Sequence, residues 1–208
     1  MKTVFKINQG LFFLFAAIIM LSACERTADP VDPMLNLFTE VTGESQANFR
    51  FVISDRIGTR SIVRGKNITW EEGDFISFRL RVISIAWSTL QEFAKSPGGL
   101  LPAADYGVIE GKFVYESGSW VTYLYSGDTK IGFRERAAGV VKDNSSFYKT
   151  EEVTVDSPGD GYCAVEAKYI YTSGELSDPN CYQLEWNQTL PFDEGTQTVT
   201  VQLPYKNR

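Results

Sequence analysis

The sequence predicts an all-β chain folded as a single antiparallel β-sandwich with one short helical insert. Three observations carry that prediction. Apolar and polar residues alternate through residues 49–54 and again through 76–82, the period of a strand with one buried face. Turn signals built from Gly, Ser, Asp and Pro recur between the apolar runs and divide the chain into roughly eight strands. Only Ser88-Thr89-Leu90-Gln91-Glu92 carries a helix start, with hydroxyls followed at three residues by Gln or Glu as in a capping box, and Ser96-Pro97-Gly98-Gly99 ends it.

Taken in order, residues 1–23 read as an export signal. Lys2 and Lys6 make a basic start, and the apolar run 11–21 is eleven residues long, short of the ~20 that a membrane helix needs. The run closes on Leu21-Ser22-Ala23-Cys24, which resembles a bacterial lipobox and implies that Cys24 receives diacylglycerol. Several acyl chains, at about 0.8 kcal/mol per buried CH2, hold such a protein on a membrane. Residues 24–47, with their two Asp-Pro pairs, read as a tether, and residues 48–208 as the sandwich. In the first strand Phe49, Phe51 and Ile53 face one way while Arg50, Val52 and Ser54 face the other. In the second, Ile76 to Val82, the apolar face is assigned to the core and the polar face to water. Residues 112–116 and 120–125 flank Ser117-Gly118-Ser119 as a hairpin, and 131–135, 147–155, 162–172, 182–186 and 196–203 complete the strands.

Composition narrows the function. Twenty basic against 26 acidic residues, a net charge of −6, argue against a nucleic-acid partner. The chain has no histidine, which removes His-activated serine or cysteine nucleophiles, imidazole acid–base chemistry and His-ligated zinc. A non-enzymatic protein without cofactor or metal is the expectation. Cys163 and Cys181, in an exported protein, can form a disulfide closing a loop of about 19 residues and worth roughly 3 kcal/mol, or can remain two buried thiols.

Other constellations carry less. Ser146 and Lys149 have the Ser-x-x-Lys spacing of penicillin-recognising enzymes, but the aromatic and β-branched residues around them favour a strand, which points the two side chains apart. The stretch 156–160 has two aspartates yet lacks the ladder and distal Glu of a calcium loop, and reads as a turn. Trp70, Trp87, Trp120 and Trp186 either fill the core or build a sugar-stacking platform; the core is the simpler assignment. Paired carboxylates acting as a glycosidase remain a formal alternative.

The most informative stretch runs from Phe49 to Phe78. A strand is followed by Thr59-Arg60 and then by Trp70-Glu71-Glu72-Gly73-Asp74-Phe75-Ile76, which itself reads as a turn opening a strand. Together with Cys24 this resembles the fimbrillin-like surface lipoproteins of Bacteroidota, on Thr59, Arg60, Trp70, Gly73, Asp74 and Ile76. The resemblance spans about 30 residues, and members commonly carry two sandwich domains, where the length of this sequence is expected to supply one. It implies cleavage after Arg60, departure of the strand bearing Phe49, Phe51 and Ile53, and its replacement by a partner's strand. It further implies a lipid-anchored protein at the outer membrane surface, serving as fimbrial component, anchor or adhesin with other fimbrial subunits or host or glycan ligands as partners. The alternative is a carbohydrate-binding surface lipoprotein of a glycan-uptake system.

Overall fold

The computed structural model describes residues 37–54, 61–63, 66–68, 70–95, 106–127, 130–140, 146–173, 181 and 183–202. The signal segment, Cys24, Thr59 and Arg60 lie outside the described residues. The strands are β1 (Thr39–Val41), β2 (Gln46–Ser54), β3 (Ser61–Val63), β4 (Lys66–Ile68), β5 (Phe75–Ile85), β6 (Tyr106–Glu116), β7 (Ser119–Tyr125), β8 (Phe147–Thr150), β9 (Val153–Asp156), β10 (Gly161–Thr172), β11 (Gln183–Pro191) and β12 (Gly195–Gln202). Among the described residues two helices, α1 (Trp87–Lys95) and α2 (Phe133–Ala137), interrupt them. The larger sheet has the order β1-β10-β5-β6-β7-β8, with β11 beside β10 as well, and the smaller has the order β12-β2-β9. β3 and β4 form a separate ladder.

The core lies between the two sheets. Ile76, Phe78, Leu80 and Val82 from β5, Phe113 from β6, and Val165, Ala167 and Tyr169 from β10 meet Phe49, Val153, Val155 and Val201 from the smaller sheet, all fully or almost fully buried. Phe78 and Phe113 stack at 4.5 Å, and Phe51 sits on both, at 5.6 and 5.3 Å. Gly111 lies in β6 because the Phe78 ring and the Tyr123 carbonyl occupy the space a Cβ would need. The β6–β7 hairpin turns as its residues dictate: Ser117 (φ 50°) and Gly118 (φ 80°) are both left-handed, the requirement of a two-residue turn matched to strand twist.

Several expectations are corrected. Residues 131–135 are not a strand. Gly132 donates its backbone N–H to Glu135 Oε2 at 2.6 Å, closing the start of α2, and Arg134, Glu135 and Arg136 are good helix formers. The expected single strand 147–155 is two, because the chain turns a corner at Glu151-Glu152: β8 pairs with β7 in the larger sheet and β9 with β2 in the smaller. The Thr150 hydroxyl holds that corner, donating to the Glu152 carbonyl at 2.6 Å and accepting from its N–H at 3.3 Å. Residues 39–41, assigned to the tether, pair with β10, and Phe38 is buried with Ile83, Ile85 and Leu90. One strand pair is parallel, β12 with β2, the first long strand meeting the last.

The polar face of β5 does not meet water as expected. At one end α1 covers it through Leu90, against Ile83, Ile85 and Ala164, and further along α2 packs on β5 and β10. Ser77 is consequently buried, and the charged residues on this face pair with one another: Arg81 with Glu166, Lys168 and Arg134 with Glu185, Arg79 and Arg136 with Glu110. The Lys168 and Arg134 cations hold the Glu185 carboxyl below its usual range.

Cys163 and Cys181 are not bridged, and strand geometry explains it. Cys163 faces Ser84 near the start of β10, whereas Gln183, two residues after Cys181, pairs with Thr172 at the other end. Nine residues of strand at about 3.3 Å each separate the two positions, far beyond the ~7 Å a disulfide permits. Burial pushes the Cys163 thiol up in spite of its hydrogen bond with Ser84. Cys163 is therefore expected to resist alkylation in the native protein at pH 8 and to label fully in denaturant. Rapid labelling under native conditions, read by intact mass, would contradict this placement.

Candidate strand-exchange site

The resemblance directs attention to β2, and its position follows from its sequence. Ala47 and Phe49 are fully buried, Phe51 and Ile53 pack against the same core, and Arg50 and Val52 are exposed, so the alternation read in the sequence holds. β2 is the central strand of the smaller sheet. It pairs in parallel with β12 from Gly195↔Ala47 to Gln202↔Ser54, and antiparallel with β9 from Gln46↔Asp156 to Phe49↔Val153. β9 and β12 meet no other strand in that sheet. Without β2 they would stand about 9.6 Å apart, twice the strand spacing, across a slot floored by Phe78 and Phe113.

Polar side chains stitch the outer face of β2 to its neighbours. Arg50 donates to Glu152 at 2.8 Å, and Thr196 on β12 reaches the same carboxylate at 3.5 Å. Gln46 donates to Asp156 at 2.8 Å and Thr154 to Asn48 at 2.6 Å. These contacts are exposed, and each contributes at most about 1 kcal/mol. Main-chain ladders and aromatic burial hold the strand. β3 begins at Ser61, so the segment joining β2 to the rest of the domain is 55–60, which contains Thr59 and Arg60 and lies outside the described residues.

The remaining motif residues come together at the start of β5. Gly73 (φ 91°) takes the third position of the turn Glu71–Asp74, where a left-handed conformation is required. The Asp74 carboxylate accepts from Glu71 N–H at 2.8 Å, and Asp74 N–H donates to the Glu71 carbonyl at 3.0 Å. This turn docks on the β6–β7 hairpin through Gly73 N–H to Tyr115 O at 2.9 Å, Tyr115 N–H to Asp74 O at 2.8 Å, and Ser117 N–H to Glu72 at 2.9 Å. Trp70 packs edge-on against Trp120 and Tyr171, at 4.8 and 5.4 Å, and Ile76 enters the core. The motif thus has a structural role, registering β5 on the hairpin. Trp70, Trp120 and Trp186 all pack against the core, and Trp87, half exposed beside Tyr162, is the one tryptophan on the surface.

Sequence reasoning missed the identity of β2's partners, since nothing local in residues 195–202 marks a parallel mate. It also missed a partly buried charge cluster, Arg79, Glu110 and Arg136, whose members come from β5, β6 and α2. Alternation marked Arg79 as outward-facing, but no local signal announced the helix that covers it. Comparisons with family models, curated proteins and solved structures return no match.

Ile76→Ala and Trp70→Ala are each expected to cost about 2 to 5 kcal/mol, whereas Arg50→Ala should cost less than about 1 kcal/mol. Denaturant midpoints for the three variants check this; a wild-type midpoint for Ile76→Ala would remove it from the core.

Proposed function

We propose that this chain is a lipid-anchored, non-enzymatic surface protein of fimbrillin type, acting as fimbrial component, anchor or adhesin, with β2 as an exchangeable strand. One observation carries the reading: β2 is the middle strand of a three-stranded sheet and is joined to the rest of the domain by the short segment that contains Arg60. Hydrolysis of the peptide bond after Arg60 would free β1 and β2 together from β3 onward. The slot left behind would present two unpaired strand edges and an aromatic floor. An incoming strand would be selected by main-chain hydrogen bonds and by apolar side chains at alternate positions. Each buried Phe stabilises by roughly 1.5 to 3 kcal/mol, so β2 would not leave unaided; exchange requires a competing strand of similar pattern. On this reading Cys24 carries the lipid, the outer membrane surface is the location, and other subunits are the partners.

Limited digestion of the purified protein with an arginine-specific protease tests the proposal. The expected result is a cut confined to Arg60, with the N-terminal fragment retained until an excess of labelled peptide spanning residues 46–54 displaces it. Arg60→Ala should abolish the cut and leave the denaturant midpoint unchanged, and Phe51→Ala should speed displacement. A cut protein that stays monomeric and never takes up the peptide would overturn strand exchange.

A further inference from the structure

The partly buried charge cluster has a consequence independent of β2. β7 separates from β6 after the Gly111↔Leu124 pair, and the chain leaves the larger sheet after Thr150 for the smaller one. The gap between these departures is a cavity of about 580 Å3, within the range of small-ligand sites. On its wall Arg79 Nε lies 3.7 Å from Glu110 Oε1, and Arg136 pairs with the other oxygen of the same carboxylate. Arg136 also donates to the Ile131 carbonyl and lies with its guanidinium 4.2 Å from the centre of the Tyr125 ring.

Among the described residues the charges there do not balance. Two guanidiniums share one carboxylate, while Glu152, the other acid lining the cavity, is matched by Arg50 at 2.8 Å. The Arg136 side chain is only 9% exposed, and its Nε, like that of Arg79 and the Oε2 of Glu110, is buried without a hydrogen-bond partner. Burial and the neighbouring Arg79 charge push Arg136 below its ordinary value. A surplus cation with a nearly buried guanidinium is costly, and an external anion would offset that cost. Arg79 remains 37% exposed and can meet one. A planar carboxylate fits a guanidinium through two parallel hydrogen bonds. Around the charges the lining carries the half-exposed Tyr148 ring, on which the apolar face of a sugar can lie, and the Thr154 hydroxyl oxygen, which donates to Asn48 and can still accept.

We propose that this cavity binds an acidic saccharide, the carboxylate of one sugar unit lying against Arg79 beside Arg136 and the ring against Tyr148. The site does not depend on cleavage at Arg60, so its test is separate from that of strand exchange.

Titration calorimetry of the purified, uncut protein with tetragalacturonate is the experiment. Binding is expected for tetragalacturonate and not for its methyl ester or for neutral maltotetraose. Arg79→Gln, at the more exposed of the two arginines, should weaken binding at least tenfold without altering the fold by circular dichroism. Glu110→Gln should tighten it, because the competing internal carboxylate is gone; a purely structural role for the cluster predicts no such gain. The proposal is overturned if tetragalacturonate binds no better than maltotetraose, if Arg79→Gln leaves the affinity unchanged, or if tetraglutamate binds equally well.

Discussion

Phe51 reaches from the smaller sheet to both Phe78 and Phe113 of the larger one, and this aromatic joint is the constraint on which the sandwich depends. The joint requires β2 to lie centrally, with its odd-numbered residues inward, and that position in turn supplies β9 and β12 with a mate. A one-residue slip of β2 would turn Phe49, Phe51 and Ile53 to solvent and bring Arg50 into the core. Register and burial are therefore specified together. The close fit extends to Gly111, where the Phe78 ring leaves no room for a side chain.

The outer face of the larger sheet solves a different problem. Its alternate residues are charged, yet α1 and α2 pack on it, so the charges stand on a partly covered face. The chain meets this by opposing Arg81 with Glu166 and placing Glu185 between Lys168 and Arg134. At Glu110 two cations likewise share one carboxylate, but there Arg136 is only 9% exposed, against 67% for Arg134 and 31% for Lys168 at Glu185. Stability alone would favour a neutral or apolar arrangement at such a place. The burial of Arg136 is what distinguishes the cavity from the remainder of the face.

Much of this architecture was legible before the structure. Alternation located β2 and β5, glycine-bearing turns located the β6–β7 hairpin, and the capping pattern at Ser88 and Thr89 located α1. These signals are local, depending on residues a few positions apart. What was not legible depends on distant partners. The corner at Glu151-Glu152 lacks Gly and Pro, so two strands in different sheets read as one. The five residues of α2 have too short a period to be told from a strand, and the spacing of Cys163 and Cys181 along the chain conceals that β10 carries them far apart. The Trp70 motif was visible as a pattern, and its reason became visible only through the docking of Gly73 and Asp74 on Tyr115.

The parallel pairing of β2 with β12 bears on how the domain would carry mechanical load. Once the short β1 has parted from β10, a pull from the N-terminal side enters β2 at Gln46, while a pull from the C-terminal side leaves β12 at Gln202. In a parallel pair these points lie at opposite ends of the shared ladder, because Ala47 faces Gly195 and Ser54 faces Gln202. Tension between the two ends of the chain therefore acts along the ladder as shear, and the hydrogen bonds between the strands must yield together. An antiparallel pair loaded at one end would instead unzip bond by bond. The strand at the centre of the smaller sheet is thus also the element best placed to resist stretching of a protein held at one end and pulled from the other.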